Sequence, residues 1–155
     1  MAMTDPDQPL RSTRDTGPLL PRLPAHFWAV PHVGSRFPGS AAVSRLPGLA
    51  AGANCQLFAY EVLRHFGLAP PPLRSSDLWD DTAATVRVPV AQPLDLLLFN
   101  GTHDPYGAHV GVCVEDDAVL HLCAEVGHPA VWALADFAAR ERYRVLIGAK
   151  SVSAA

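Results

Sequence analysis

Residues 54–66 read NCQLFAYEVLRHF, and this stretch decides the fold. Cys55, Ala59, Val62 and Phe66 recur at the i, i+4, i+7, i+11 spacing of one helix face, with Phe58 and Leu63 widening the apolar stripe. Gly67 ends the pattern, and Pro70, Pro71 and Pro72 keep it from resuming. Asn54 or Gly52 can supply the N-cap. The reading is a helix that opens on, or very near, a cysteine.

Downstream the period changes from helical to alternating. Residues 96–99, 109–114 and 119–123 read as strands, 85–90 as a short strand and 143–149 as a last one. Residues 131–140 read as a short helix, and 76–92 as a link with a turn at Asp80-Asp81. The loop 100–108, NGTHDPYGA, is rich in turn formers. A helix packed on an antiparallel meander is an α+β fold. Upstream, residues 1–24 carry Pro6, Pro9, Pro18, Pro21 and Pro24 without periodicity and read as a flexible arm, leaving 25–155 as the domain. Residues 26–52 are irregular, with Phe27, Trp28 and Phe37 as apolar anchors.

A chain of 155 residues, 49% apolar and 17% charged, suits one soluble domain with a sizeable core. Its net charge of −3 gives no reason to expect nucleic acid or an anionic membrane as partner. No apolar run approaches the roughly 20 residues that span a bilayer. Asp5 and Asp7 precede Arg11 and Arg14 with no apolar stretch behind a basic start, so the expected location is the cytoplasm. Cys55, Cys113 and Cys123 are too few, and odd in number, for a disulfide framework, so free thiols are expected.

A thiolate at a helix start feels unpaired N–H groups and the positive end of the dipole, so Cys55 would titrate below about 8.5 as a nucleophile. The plain alternative is a buried structural cysteine. In the strand HVGVCVED, from His109, the valines share one face as core. His109, Gly111 and Cys113 share the other, which meets the helix or a cleft. Gly111 permits close backbone approach. In VLHLC, His121 shares a face with Val119 and Cys123, and a ring set among apolar residues needs a partner. His109 can be that partner only if both rings lie on one face. Parity then demands an odd number of residues in the connection, Glu115-Asp116-Asp117 closing on Val114 and Ala118, or else a one-residue bulge. A regular two-residue turn at Asp116-Asp117 would put His121 on the opposite face.

The ordered set of Cys55, HVGVCV at 109–114 and VLHLC at 119–123, with PLDLLLFN at 93–100, resembles the NlpC/P60 peptidases. Their pattern is a helix-opening cysteine, a PGDLVFF strand, a HVGIYV strand and a second histidine in a strand like FIHA. Here the three residues stand 54 and 12 apart. The resemblance covers roughly 50–150 and implies a papain-like core that hydrolyses amide bonds, typically around γ-D-glutamyl linkages of cell-wall peptides. It implies Cys55 as nucleophile, His109 as general base and His121 as the residue that orients the base. Two departures stand out. Asn54-Cys55-Gln56-Leu57 replaces Asp-Cys-Ser-Gly, so the carboxylate that meets a substrate ammonium group in some members is a neutral amide here. Leu94 replaces the glycine of PGD.

The expected function is therefore a cysteine hydrolase, a peptidase or amidase acting on a small peptide or peptide-like substrate through a thioester, without metal or cofactor. Asn54 and Gln56 are the candidate substrate-binding residues, and Tyr or Asn side chains of the 26–54 segment are the candidates for the second oxyanion donor. An acyltransferase using the same thioester and a catalytically idle binding protein on the same fold are the alternatives. Zinc at His109, His121, Cys113, Cys123, His103 or His128 lacks the usual ligand spacing. Cys113 and Cys123 read instead as apolar fillers.

Overall fold

Asn54 caps the central helix, α2 (Cys55–His65): its Oδ1 accepts the Leu57 N–H at 2.8 Å in the computed structural model, which describes residues 18–155. The helix is buried well beyond the stripe its sequence displays. Gln56, Leu57, Phe58, Ala59, Tyr60, Val62 and Leu63 are all buried. The cause is the chain before it: Leu19, Leu23, Phe27, Val30 and Leu49 join the core around α2. Each such aliphatic or aromatic side chain stabilises the fold by about 1.5–3 kcal/mol. Residues 18–24, grouped with the arm on composition, thus pack down, with a 3-10 turn at Leu20–Arg22. The rest of that arm, 1–17, lies outside the described residues.

The segment leading to α2 is organised by one buried side chain. Arg36 is 5% exposed and donates to four carbonyls: Gly52 at 2.7 Å, Leu46 at 2.8 Å, Gly48 at 2.9 Å and Ala42 at 3.3 Å. Its own carbonyl accepts the Asn54 N–H at 2.8 Å. A five-donor guanidinium is the one side chain that can satisfy so many orphan acceptors at once. Within this segment lies a short helix, α1 (Ala41–Arg45), capped by Ser40.

Six antiparallel strands follow in the spatial order β1-β6-β2-β3-β4-β5. They are β1 (Thr85–Val88), β2 (Leu96–Asn100), β3 (His109–Glu115), β4 (Ala118–Leu122), β5 (Pro129–Ala133) and β6 (Val145–Val152). Val110, Val112, Val114, Leu96, Leu98, Leu120 and Leu122 face α2. The other face carries Leu97, Phe99, Cys113 and Val119, covered by Phe137 and Tyr143. Of the two surroundings open to the histidine face, it is not the helix that it meets.

Two elements differ from expectation. Residues 131–140 are not one helix: β5 ends at Ala133, and α4 is only Leu134–Ala138. Pairing to β4 (Val119↔Trp132, His121↔Ala130) imposes the period of two on an alanine-rich stretch whose propensity favours helix. The link before β1 holds a further helix, α3 (Ser75–Asp80), anchored by the fully buried Leu78. Its end is held by Lys150, whose Nζ donates to the Trp79 and Asp81 carbonyls.

At the β3–β4 hairpin the turn is two residues, Asp116-Asp117, with Glu115 opposite Ala118 and Asp117 in the left-handed region at φ 57°. The register shifts between Cys113 and Glu115, so Val114 forms a one-residue bulge. Beyond it Cys113 pairs with Val119 and Val112 with Leu120. That parity keeps His109 and His121 on one face. Leu94, at φ 75°, keeps a backbone suited to glycine in the turn before β2, and its side chain is 3% exposed in the core. Among the described residues no helix is long and apolar enough to cross a membrane.

Candidate active site

Cys55 is the first residue of α2 and half-buried. The N–H groups of Val110, Gln56 and Cys55 itself point toward its sulfur, and the charge of Arg74 favours a thiolate. Burial nonetheless outweighs them and pushes the thiol above its usual range. This overturns the expected downward shift. At this sulfur the cost of desolvation exceeds what the helix start and its N–H groups supply.

His109 opens β3 and is 7% exposed. Its Nε2 lies 2.8 Å from Nδ1 of His121, with the two rings nearly perpendicular at 86°. Gly111 makes this approach possible. A Cβ there would lie 2.5 Å from Val119 Cγ1 and 3.3 Å from the His121 Cβ, so the strand pair has no room for a side chain at that point. His121 is 1% exposed and packs against Trp132 and Phe137, with ring centroids at 4.2 and 4.7 Å. Tyr143 lies against His109 at 4.7 Å.

Burial holds both imidazoles in the neutral form. His109 is driven well below the usual histidine range by burial, then by the neighbouring His121, with His32 and Arg142 adding to it. His121 is pushed down to about 4, again by burial first and by Arg140 second. At neutral pH the site therefore holds a protonated thiol and two neutral rings sharing one hydrogen bond.

Cys55 and His109 open on one cavity of about 940 Å³. Asn54 is on its wall, although its Oδ1 is committed to capping α2. Gln56 is not among the lining residues: its side chain is 2% exposed and its Nε2 has no hydrogen-bond partner among the described residues. His121 stands behind His109, away from the cavity wall. Cys113 is buried and pushed up to about 11 by burial, and Cys123 is buried at the cavity floor; all three thiols are free. Among the described residues no three His, Cys, Asp or Glu side chains are placed to hold a metal ion.

Two lining residues, His32 and Tyr143, were not singled out from sequence. His32 is brought to the cavity by its parallel bridge to Ala53 and its N–H bond to the Gly127 carbonyl at 2.9 Å. Its imidazole is also shifted down by burial. Nothing local marks either residue; both reach the site through long-range contacts.

No protein-family model matches the sequence, and a search of curated proteins finds no match. Among solved structures the chain is similar to the NlpC/p60 domain of the peptidoglycan hydrolase SagA. The TM-score is 0.52 at 20% identity, over 82% of this chain and 91% of that one. The fold is therefore the papain-like NlpC/P60 fold, in its α+β form.

Proposed function

We propose that this NlpC/P60-fold chain is a cysteine hydrolase, a peptidase or amidase that cleaves an amide bond in a small peptide or peptide-like substrate. The observation that carries this reading is the shared cavity of Cys55 and His109, with His109 Nε2 bound to His121 at 2.8 Å. That bond leaves Nδ1 of His109 as the nitrogen available for the thiol proton. His109 then donates from Nε2 to His121 Nδ1, and His121 carries its own proton on Nε2, against the aromatic wall.

As the Cys55 sulfur attacks the carbonyl carbon, Nδ1 of His109 takes the thiol proton. The ion pair forms with the new bond rather than before it, because burial favours the neutral resting pair. The oxyanion is met by the N–H groups at the start of α2, with neutral His32 as the second donor. The amine leaves with the proton from His109, and a thioester remains. Water, deprotonated by the same nitrogen, attacks the thioester carbonyl and releases the acid and the free thiol. The kinship in fold with a peptidoglycan hydrolase domain supports a γ-D-glutamyl peptide as one substrate to test.

The test is turnover of a panel of α- and γ-linked glutamyl peptides, with Cys55 acylation followed by intact-protein mass spectrometry. Amine release with a transient acyl adduct on Cys55 is expected. Release that persists in Cys55→Ala overturns the reading, and diversion of the acyl group to an added amine at the expense of acid would make the chain an acyltransferase.

A further inference from the structure

We infer that the substrate presents a carboxylate, or an anion of like geometry, to Arg142 and Arg144 beside the scissile bond; this rests on the hydrolase reading above. The turn Glu141–Tyr143 and its flanks bring three arginines to the cavity wall, Arg140, Arg142 and Arg144. Glu141 is the single carboxylate among the lining residues, and among the described residues it makes no ion pair. Arg140 is already neutralised: its Nε donates to Glu125 at 2.6 Å and its Nη1 to the Asp136 carbonyl at 2.7 Å, while it stacks on Trp132 at 3.9 Å. Arg142 has no hydrogen bond or ion pair among the described residues, only the flank of the Tyr143 ring at 5.6 Å. Among the described residues Arg144 is held by a single bond, Nε to the Gly101 carbonyl at 2.9 Å, with no partner there for its two terminal nitrogens.

This wall is built for close packing. A Cβ at Gly101 would lie 3.3 Å from the Glu141 carbonyl oxygen, so the 100–108 loop meets the arginine turn with little space between. Asn100 fixes that loop, donating from Nδ2 to the Asp104 and Tyr106 carbonyls at 2.8 and 3.1 Å. The charge of Arg142 is felt at His109, which places the guanidinium within electrostatic reach of the reacting groups. The nucleophile side offers no counter-charge: Asn54 is a neutral amide, and burial keeps His32 neutral. Such a cleft repels an ammonium group and attracts a carboxylate, which guanidinium forks bind through paired hydrogen bonds.

Iodoacetate and iodoacetamide test this without knowledge of the substrate, since they alkylate the same sulfur and differ by one negative charge. The rate ratio, acetate over acetamide, is measured at Cys55 of the full chain by mass spectrometry and divided by the ratio for free cysteine. The expected value is about threefold or more above unity at low salt, falling toward unity at about 0.5 M salt as the surface charges are screened. The double variant Arg142→Gln, Arg144→Gln should lose that preference. A ratio at or below unity, or one unchanged in the double variant, overturns the anion site while leaving the nucleophile in place. Failure of both reagents to label Cys55 overturns the hydrolase reading and this inference with it.

Discussion

Cys55 reaches the cavity at the end of a segment with little regular structure, whereas His109 and His121 stand on neighbouring strands of a sheet. The first half of the site is held by bonds from side chain to backbone, chiefly those of Arg36 to four carbonyls. The second is held by ladder bonds and by register, with a bulge at Val114 and a bare position at Gly111. Position in a sheet is distributed over many weak and repeated contacts. Position at the end of an irregular segment rests on a few residues that cannot be replaced. The two halves should therefore fail differently when perturbed.

The largest effect is expected where the halves meet. Cys55→Ala and His109→Ala should each lower kcat/KM on the order of 10⁴-fold or more, a loss far larger than any accompanying loss of stability, since in the proposed mechanism both act as one chemical unit. If the two losses multiply in the double variant, the halves act independently and the shared proton is wrong.

Next comes Arg36→Leu, which strands four buried or half-buried carbonyls and should cost about 3–5 kcal/mol in urea unfolding. A cost below about 1 kcal/mol would show that the irregular half is held by its apolar anchors instead.

The sheet half should declare itself through pH. His121 falls from the ordinary histidine value of 6.5 to about 4 on folding, so between these values the unfolded chain binds the extra proton. Stability is then unaffected above pH 6.5 and falls as pH drops toward 4, by up to roughly 3 kcal/mol at the lower end. His109 adds loss of the same sign. His121→Phe should flatten this acid slope, and an unchanged slope would place the titrating groups elsewhere.

The smallest of the four is His121→Ala, expected to lower kcat on the order of 10²-fold, less than His109→Ala, since in the proposed mechanism His121 sets the geometry and tautomer of the base without moving the substrate's proton. Equal losses in the two variants would make His121 a direct participant.

The same contrast explains what could be read in advance. The helix from Cys55 and the shared face of His109 and His121 follow from periods of 3.6 and 2, which are local. Parity requires one extra residue between the histidines, and the structure supplies it as a bulge at Val114 rather than as a three-residue connection over 115–117. Strand β5 was hidden because alanines between Pro129 and Ala133 favour helix until β4 pairs with them. Helix α3, six residues long, is too short to show a period. Arg36 looks like any surface arginine until the carbonyls of residues 42–52 gather around it. The protonation of Cys55 is not legible from the helix start alone, because it depends on how far the folded protein desolvates the sulfur.

The central claim is that Cys55 reacts through His109, and iodoacetamide labelling of the three thiols, resolved by mass spectrometry in the native chain and in His109→Ala, addresses it directly. The account predicts that Cys55 is labelled fastest in the native chain. Loss of His109 should slow it about tenfold or more, leaving the slow rates of the buried Cys113 and Cys123 as they were. A Cys55 no faster than the other two, or one equally reactive without His109, would contradict it.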